Sequence, residues 1–344
     1  MNAYFISAHD FKPFITRLIE ARRVIGPVAK RDRFTFERVT RAEDLRLDYD
    51  VTILPPKKVF FPTVQDLVHF EGERYAGCIE AEPQVLLGVH FYDVKAIDMT
   101  DQLFREKFAD PNYLAAREAT TIVASNVQRV SDAAFWGSIG ADVAPKGHDA
   151  FLTMIEKGYV FETRTPKGAA LLEFGRFRIA EKSEVAAADR VNAEILEKCP
   201  ERIDHPAQAV AKRLWEVFGD EALWEKFAED CFSCGSCNVV CPTCYCFDVQ
   251  DRWNLDQKSG ARARSWDACL TQDFAQVSLG AGATENFRDS RGERFRHRFM
   301  RKGAYLNKKL GSPACVGCGR CSQACTADIA SPPKVINKIM GAAQ

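Results

Sequence analysis

The sequence has no excess of either charge: its 344 residues hold 47 Lys and Arg against 47 Asp and Glu. A balanced chain has no global field to draw it to nucleic acid or an anionic bilayer, and no nucleic-acid reader motif replaces one. No apolar run approaches the roughly 18 residues that cross a bilayer. The opening segment, Met1 to Asp10, has no basic leader ahead of an apolar stretch, so no secretory signal is expected. These absences predict a cytoplasmic chain with no membrane span and no nucleic-acid partner. Also missing are a Gly-x-Gly-x-x-Gly loop, a P-loop and a nucleophile–base motif, so no catalytic residue is assigned. The six histidines are scattered, none at metal-ligand spacing with another. Cysteine is nearly absent from the first two thirds, where only Cys78 and Cys199 occur.

The remaining eleven cysteines are crowded: six between 231 and 246, Cys269 alone, and four between 315 and 325. A secreted disulfide framework spreads its cysteines through a short chain, whereas dense groups at short fixed spacing in a long one point to metal.

Upstream of these groups the pattern alternates. Phe11, Phe14, Ile15, Leu18 and Ile19 mark an amphipathic helix. Val51–Leu54, ending at Pro55-Pro56, reads as a short strand, as do Val85–Phe91 and Thr120–Ala124. Asp93–Phe108 and His148–Lys157 read as helices, and Tyr159–Arg164 and Leu171–Ile179 as extended. Residues 184–229 are helical in pattern. The expected class is α+β: an N-terminal mixed α/β domain (1–200), then a helical lead-in and a bacterial-ferredoxin-like two-cluster domain (201–344) with a long insertion (247–314).

The first run is Cys231-x2-Cys234-x2-Cys237-x3-Cys241, followed by Pro242; the second is Cys315-x2-Cys318-x2-Cys321-x3-Cys325, followed by Thr326. Three cysteines two residues apart let one loop wrap three corners of an iron–sulfur cubane, and Gly235, Gly317 and Gly319 allow the tight turns. The fourth lies too far round and, in two-cluster ferredoxins, ligates the other cluster. The expected sets are Cys231, Cys234, Cys237 and Cys325 for the first [4Fe–4S] cluster, and Cys315, Cys318, Cys321 and Cys241 for the second. Structural zinc uses paired Cys-x2-Cys knuckles and explains a triplet plus a fourth poorly.

Within the insertion, Cys244, Cys246 and Cys269 have three readings: ligands of a third metal, support for a flavin, or buried thiols. A closed metal site needs a fourth ligand, which only Cys78, folding over, would supply. Arg288–Lys302 holds six arginines and one lysine. It reads as a solvated helix face, a dock for an acidic partner, or a positive field for reduced clusters.

Cys241-Pro-Thr-Cys-Tyr-Cys-Phe-Asp-Val249, Trp266-Asp-Ala-Cys269, the Arg-rich stretch and the second run together resemble the iron–sulfur β subunit of soluble NAD(P)-linked [NiFe] hydrogenases, the sulfhydrogenases. The same family includes the corresponding iron–sulfur component of anaerobic sulfite reductase. Leu54–Pro62 and Leu87–Ala96 extend the resemblance over most of the chain. Where many relatives carry Arg-Pro-Cys-Asp this chain has His90-Phe-Tyr-Asp93, and Val127–Trp136 lacks cysteines that relatives carry. The resemblance implies a protein that passes electrons without bond chemistry of its own. Its partners would be a flavoprotein subunit holding FAD and NAD(P), and an iron–sulfur small subunit with a [NiFe] large subunit. The alternative is the equivalent electron-transfer subunit of an anaerobic sulfite reductase, where a siroheme subunit takes the last place, or of another flavin-linked reductase complex. A stand-alone enzyme is disfavoured by the missing motifs, and an iron–sulfur regulator by the neutral charge.

Overall fold

The computed structural model describes residues 2–140 and 145–341. Ten strands come from the first 180 residues: β1 (Asn2–Ser7), β2 (Arg23–Lys30), β3 (Arg33–Arg38), β4 (Val64–Glu71), β5 (Arg74–Gly77), β6 (Gln84–His90), β7 (Thr120–Ser125), β8 (Ala150–Ile155), β9 (Gly158–Thr163) and β10 (Arg178–Ile179). Eight of them form one sheet in the order β10-β1-β9-β8-β7-β6-β2-β3, parallel across β2, β6, β7 and β8 and antiparallel elsewhere.

Helices cover both faces of this sheet. Helix Ala8–Ala21 begins where the Ser7 hydroxyl accepts from the Asp10 N–H, and turns Phe14, Ile15 and Leu18 onto a core with Val24, Val123 and Phe161. On the other face, Val94 and Ile97 of helix Phe91–Phe104 and Tyr113 of helix Pro111–Ala119 pack on Leu86, Ile122 and Phe151. A strand covered on both sides becomes a continuous apolar run, as Val85, Leu86, Leu87 and Val89 are.

That rule explains one correction. His148–Lys157, expected as a helix, contains β8, whose Ala150, Phe151, Leu152 and Thr153 are all buried. A short apolar run buried on both faces has no period to separate strand from helix. Val51–Leu54 is not a strand either: Thr52 makes a single bridge to Phe34 and faces the second cysteine run instead. Leu171–Ile179 is mostly not extended, since Leu171–Phe174 is a 3-10 turn and only Arg178–Ile179 pairs in the sheet.

The insertion adds β11 (Phe247–Trp253), β12 (Ser259–Trp266) and a hairpin of β13 (Gln276–Gly280) and β14 (Ala283–Asn286). β11 and β12 join β4 and β5 in a second sheet, ordered β11-β12-β4-β5, so strands from both ends of the sequence share it. Buried Arg264 on β12 is ion-paired with Asp110 and bonds Gln65 at 3.1 Å. The helices Ala207–Glu216, Glu221–Ala228, Arg291–Met300 and Pro332–Gly341 enclose a third core of Leu214, Trp224, Phe299 and Ile339, into which Cys231, Cys237 and Cys321 are built. The fold is thus α+β, with a mixed sheet domain and a ferredoxin-like unit carrying the insertion.

Candidate iron–sulfur centre

Each run opens its second two-residue spacer with a glycine in the left-handed region, Gly235 at φ 72° and Gly319 at φ 76°, where a side chain would be strained. Each glycine starts one helical turn, Ser236–Val239 and Arg320–Gln323, that carries the third cysteine. Gly317, at φ 67°, admits a close approach: a Cβ there would meet the Trp136 backbone at 2.5 Å. Its carbonyl accepts from the Phe135 N–H at 2.8 Å.

The sulfurs of the two runs face one another. Cys237 lies in electrostatic reach of Cys231 and Cys325, besides Cys321. Cys315 and Cys318 face Cys241 and Cys321. Cys234 is exposed, its thiol 3.3 Å from the Ser236 hydroxyl. Burial pushes the Cys315 thiol up to about 12 and Cys237 to about 11. Thiolates at such positions need countercharge, and the chain supplies it.

Arg298 is 3% exposed and no carboxylate among the described residues pairs with it. Burial works against its charge, yet the sulfurs of Cys237, Cys321, Cys241 and Cys244 outweigh burial and hold its pKa above the ordinary value. Lys302, in the same helical stretch, donates to the Thr243 hydroxyl at 2.7 Å; Cys241, Cys244 and Cys315 overcome burial to raise its pKa. A cation this deep without an acid is costly unless anions form beside it. The donor set therefore fits sulfur-ligated anionic clusters. The basic stretch is consequently not a solvated face: of its seven cations only Arg291 is exposed, and Arg294 and Arg298 are buried. Reading charge by composition missed that its helix turns those two inward.

Several residues that sequence reasoning gave no role brace the runs. Arg320, inside the second run, forms a two-pronged pair with Asp93, both bonds 2.7 Å, with the arginine 2% and the aspartate 1% exposed. It also donates to the Thr52 carbonyl at 2.8 Å and hydroxyl at 2.9 Å. Behind this pair His90 stacks on Tyr49 with centroids 3.9 Å apart, and Tyr92 stacks on Trp136 at 5.2 Å. Lys57 donates to the carbonyls of Cys241 at 2.9 Å and Cys244 at 2.5 Å, and lies 4.3 Å from the centroid of the Trp266 ring. Lys57 and Asp93 sit in the Leu54–Pro62 and Leu87–Ala96 segments, but only family resemblance, not spacing, pointed to them.

The three further cysteines do converge. Cys246 and Cys269 are in thiol–thiol contact, and Cys241 and Cys244 likewise. That contact, more than the opposing burial, draws Cys246 down to about 6, with Arg301 and Lys302 adding to it. Cys78 is elsewhere, just after β5, with its thiol toward the Ala76 carbonyl. Among the described residues no three Cys, His, Asp or Glu side chains stand close enough for one metal ion; a cubane spreads its thiolates more widely.

Residues 230–329 match the family model of a 4Fe–4S dicluster domain. Over 335 residues, 94% of this chain and 95% of the relative, the sequence is 33% identical to sulfhydrogenase 2 subunit beta of Pyrococcus furiosus. The chain belongs to the sulfhydrogenase β-subunit family. No solved structure matches it. Both cysteine runs of this sulfhydrogenase β-type chain lie within the matched dicluster segment. Among the described residues no helix is long and apolar enough to cross a membrane.

Proposed function

We propose that this sulfhydrogenase β-type chain is the electron-relaying component of a multisubunit hydrogenase. Single electrons pass through two [4Fe–4S] clusters between a flavoprotein that exchanges hydride with NAD(P)H and a [NiFe] module reached through its iron–sulfur small subunit. The ligand sets are crossed: Cys231, Cys234, Cys237 and Cys325 hold one cluster, and Cys315, Cys318, Cys321 and Cys241 the other. Buried Arg298 carries this reading, because the sulfurs of both runs are the anions it faces. A cation between two clusters favours the extra electron on either, which suits a relay. The clusters supply one-electron storage when bound; the chain fixes their separation and keeps water from the second.

Anaerobic purification from its own cells tests this. We expect about eight iron per chain from the two cubanes, and co-purification with a flavoprotein and a nickel-containing protein. Zinc without iron overturns the relay. A siroheme protein in place of the nickel protein overturns the hydrogenase assignment.

A further inference from the structure

Asn238 follows the third cysteine of the first run and is 1% exposed. Its carboxamide nitrogen lies 3.0 Å from the Cys269 sulfur and 3.7 Å from that of Cys244. Its oxygen lies 3.6 Å from the Cys237 sulfur. One buried amide thus touches a sulfur of the first run and two of the three cysteines outside both runs. Cys246 completes the group through its contact with Cys269.

The three come from two separate strand ends. Cys244 and Cys246 lead into β11, and Cys269 follows β12. Antiparallel pairing of Phe247 with Trp266, and the bond from the Asp267 N–H to the Cys246 carbonyl, bring those ends together. Cys244 and Cys269 are buried and Cys246 is half-buried. Lys57 reaches the Cys244 carbonyl, Lys302 faces Cys241, Cys244 and Cys246, and Arg301 faces Cys244 and Cys246. Inert packing thiols need no ring of cations, whereas thiolate ligands of an anionic cluster do.

We propose that Cys244, Cys246 and Cys269 hold a third iron–sulfur cluster, ligated by three thiolates, beside the two ferredoxin-type clusters. Three thiolates suffice for a three-iron cluster or for a cubane with one iron bound by a non-cysteine ligand. The centre lies against the first cluster through Asn238 and against the second through the contact of Cys244 with Cys241. Electrons then have a branch as well as a line.

The proposal rests on the iron–sulfur reading of the two runs, and its test keeps the two apart. The full chain, wild type and as C246S and C269S, is reconstituted anaerobically with ferrous iron and sulfide, then assayed for iron, labile sulfide and the paramagnetic resonance of the reduced state. The wild type is expected to hold about eleven or twelve iron. Each variant should lose about three or four and one resonance signal, keeping about eight. If buried Cys269 cannot be replaced without misfolding, C246S decides alone. A wild type with eight iron, a variant that keeps the wild-type complement, or zinc in the extra site overturns the third cluster and leaves the relay standing. A chain that takes up no iron overturns both.

Discussion

Phe232, in the first run, is 70% exposed and Cys234 reaches solvent, while in the second run every residue from Val316 to Cys321 is buried. The spacing is the same and the surroundings of the two loops differ. Cys231 and Cys237 sit in the helical core with Leu214 and Phe299, and Cys321 of the second run joins them there, but Cys318 packs with Phe91, Tyr92 and Trp136 of the sheet domain. The second run is held from outside by the buried Arg320–Asp93 pair and by Gly317 against Trp136, whereas the first is met by Arg294 at the Ser233 hydroxyl, by Ala268 against Gly235 and, at its exposed end, by the Ser236 hydroxyl alone. Sequence spacing sets how a loop wraps a cluster; the side chains around it set who reaches that cluster. In the proposed relay the exposed loop of the first run is the door for electron exchange with a partner, and the second is the interior stage.

Breaking the lock on the second run should have the largest effect. Arg320→Ala leaves the Asp93 carboxylate buried without its cation, at a cost of about 3–5 kcal/mol. We expect a lower urea midpoint for the anaerobic full chain and loss of the second cluster before the first. Asp93→Ala combined with Arg320→Ala should cost clearly less than the sum of the single changes, because the stranded charge is gone. A loss below about 1 kcal/mol for Arg320→Ala would show that the pair does not hold the run.

Arg298 serves both runs, so changing it sharpens the contrast from the other side. Two unit charges about 8 Å apart at an effective dielectric of about 20 interact by about 2 kcal/mol, equivalent to about 90 mV for one electron. Arg298→Met should therefore make both cluster potentials more negative by that order, as read by redox titration, with Arg298→Lys restoring most of the shift. Arg320, already neutralised by Asp93, should not act in this way. A fall confined to one cluster would place Arg298 with that run alone.

The cysteine spacing made the dicluster unit legible, and the helix over Phe11–Ile19 and the strands at Val85 and Thr120 were legible from period and length. The lock was not. Arg320 and Asp93 are 227 residues apart, and no local period records a pair made across the chain. The basic stretch failed for a related reason: composition counts charges, while burial of Arg294 and Arg298 depends on which face of helix Arg291–Met300 meets the Cys231–Cys237 loop. Cys244, Cys246 and Cys269 were visible as residues, but their convergence needed the β11–β12 pairing.

The smallest expected effect isolates the exposed end of the first run. The Ser236 hydroxyl lies 3.3 Å from the Cys234 sulfur, and the contact lowers that thiol's pKa before any other influence does. A hydrogen bond to a ligating sulfur spreads its negative charge, and so favours the reduced, more anionic cluster. A neutral hydrogen bond is worth about 0.5–1.5 kcal/mol net, and solvent near Cys234 replaces part of it. Ser236→Ala should thus shift only the first cluster to more negative potential, by about 20–40 mV, the lower part of that range. The second cluster, walled off by Tyr92 and Trp136, should keep its wild-type value in the same titration. Equal shifts in both would mean that the two runs are not electrostatically distinct, and the contrast between door and interior would be lost.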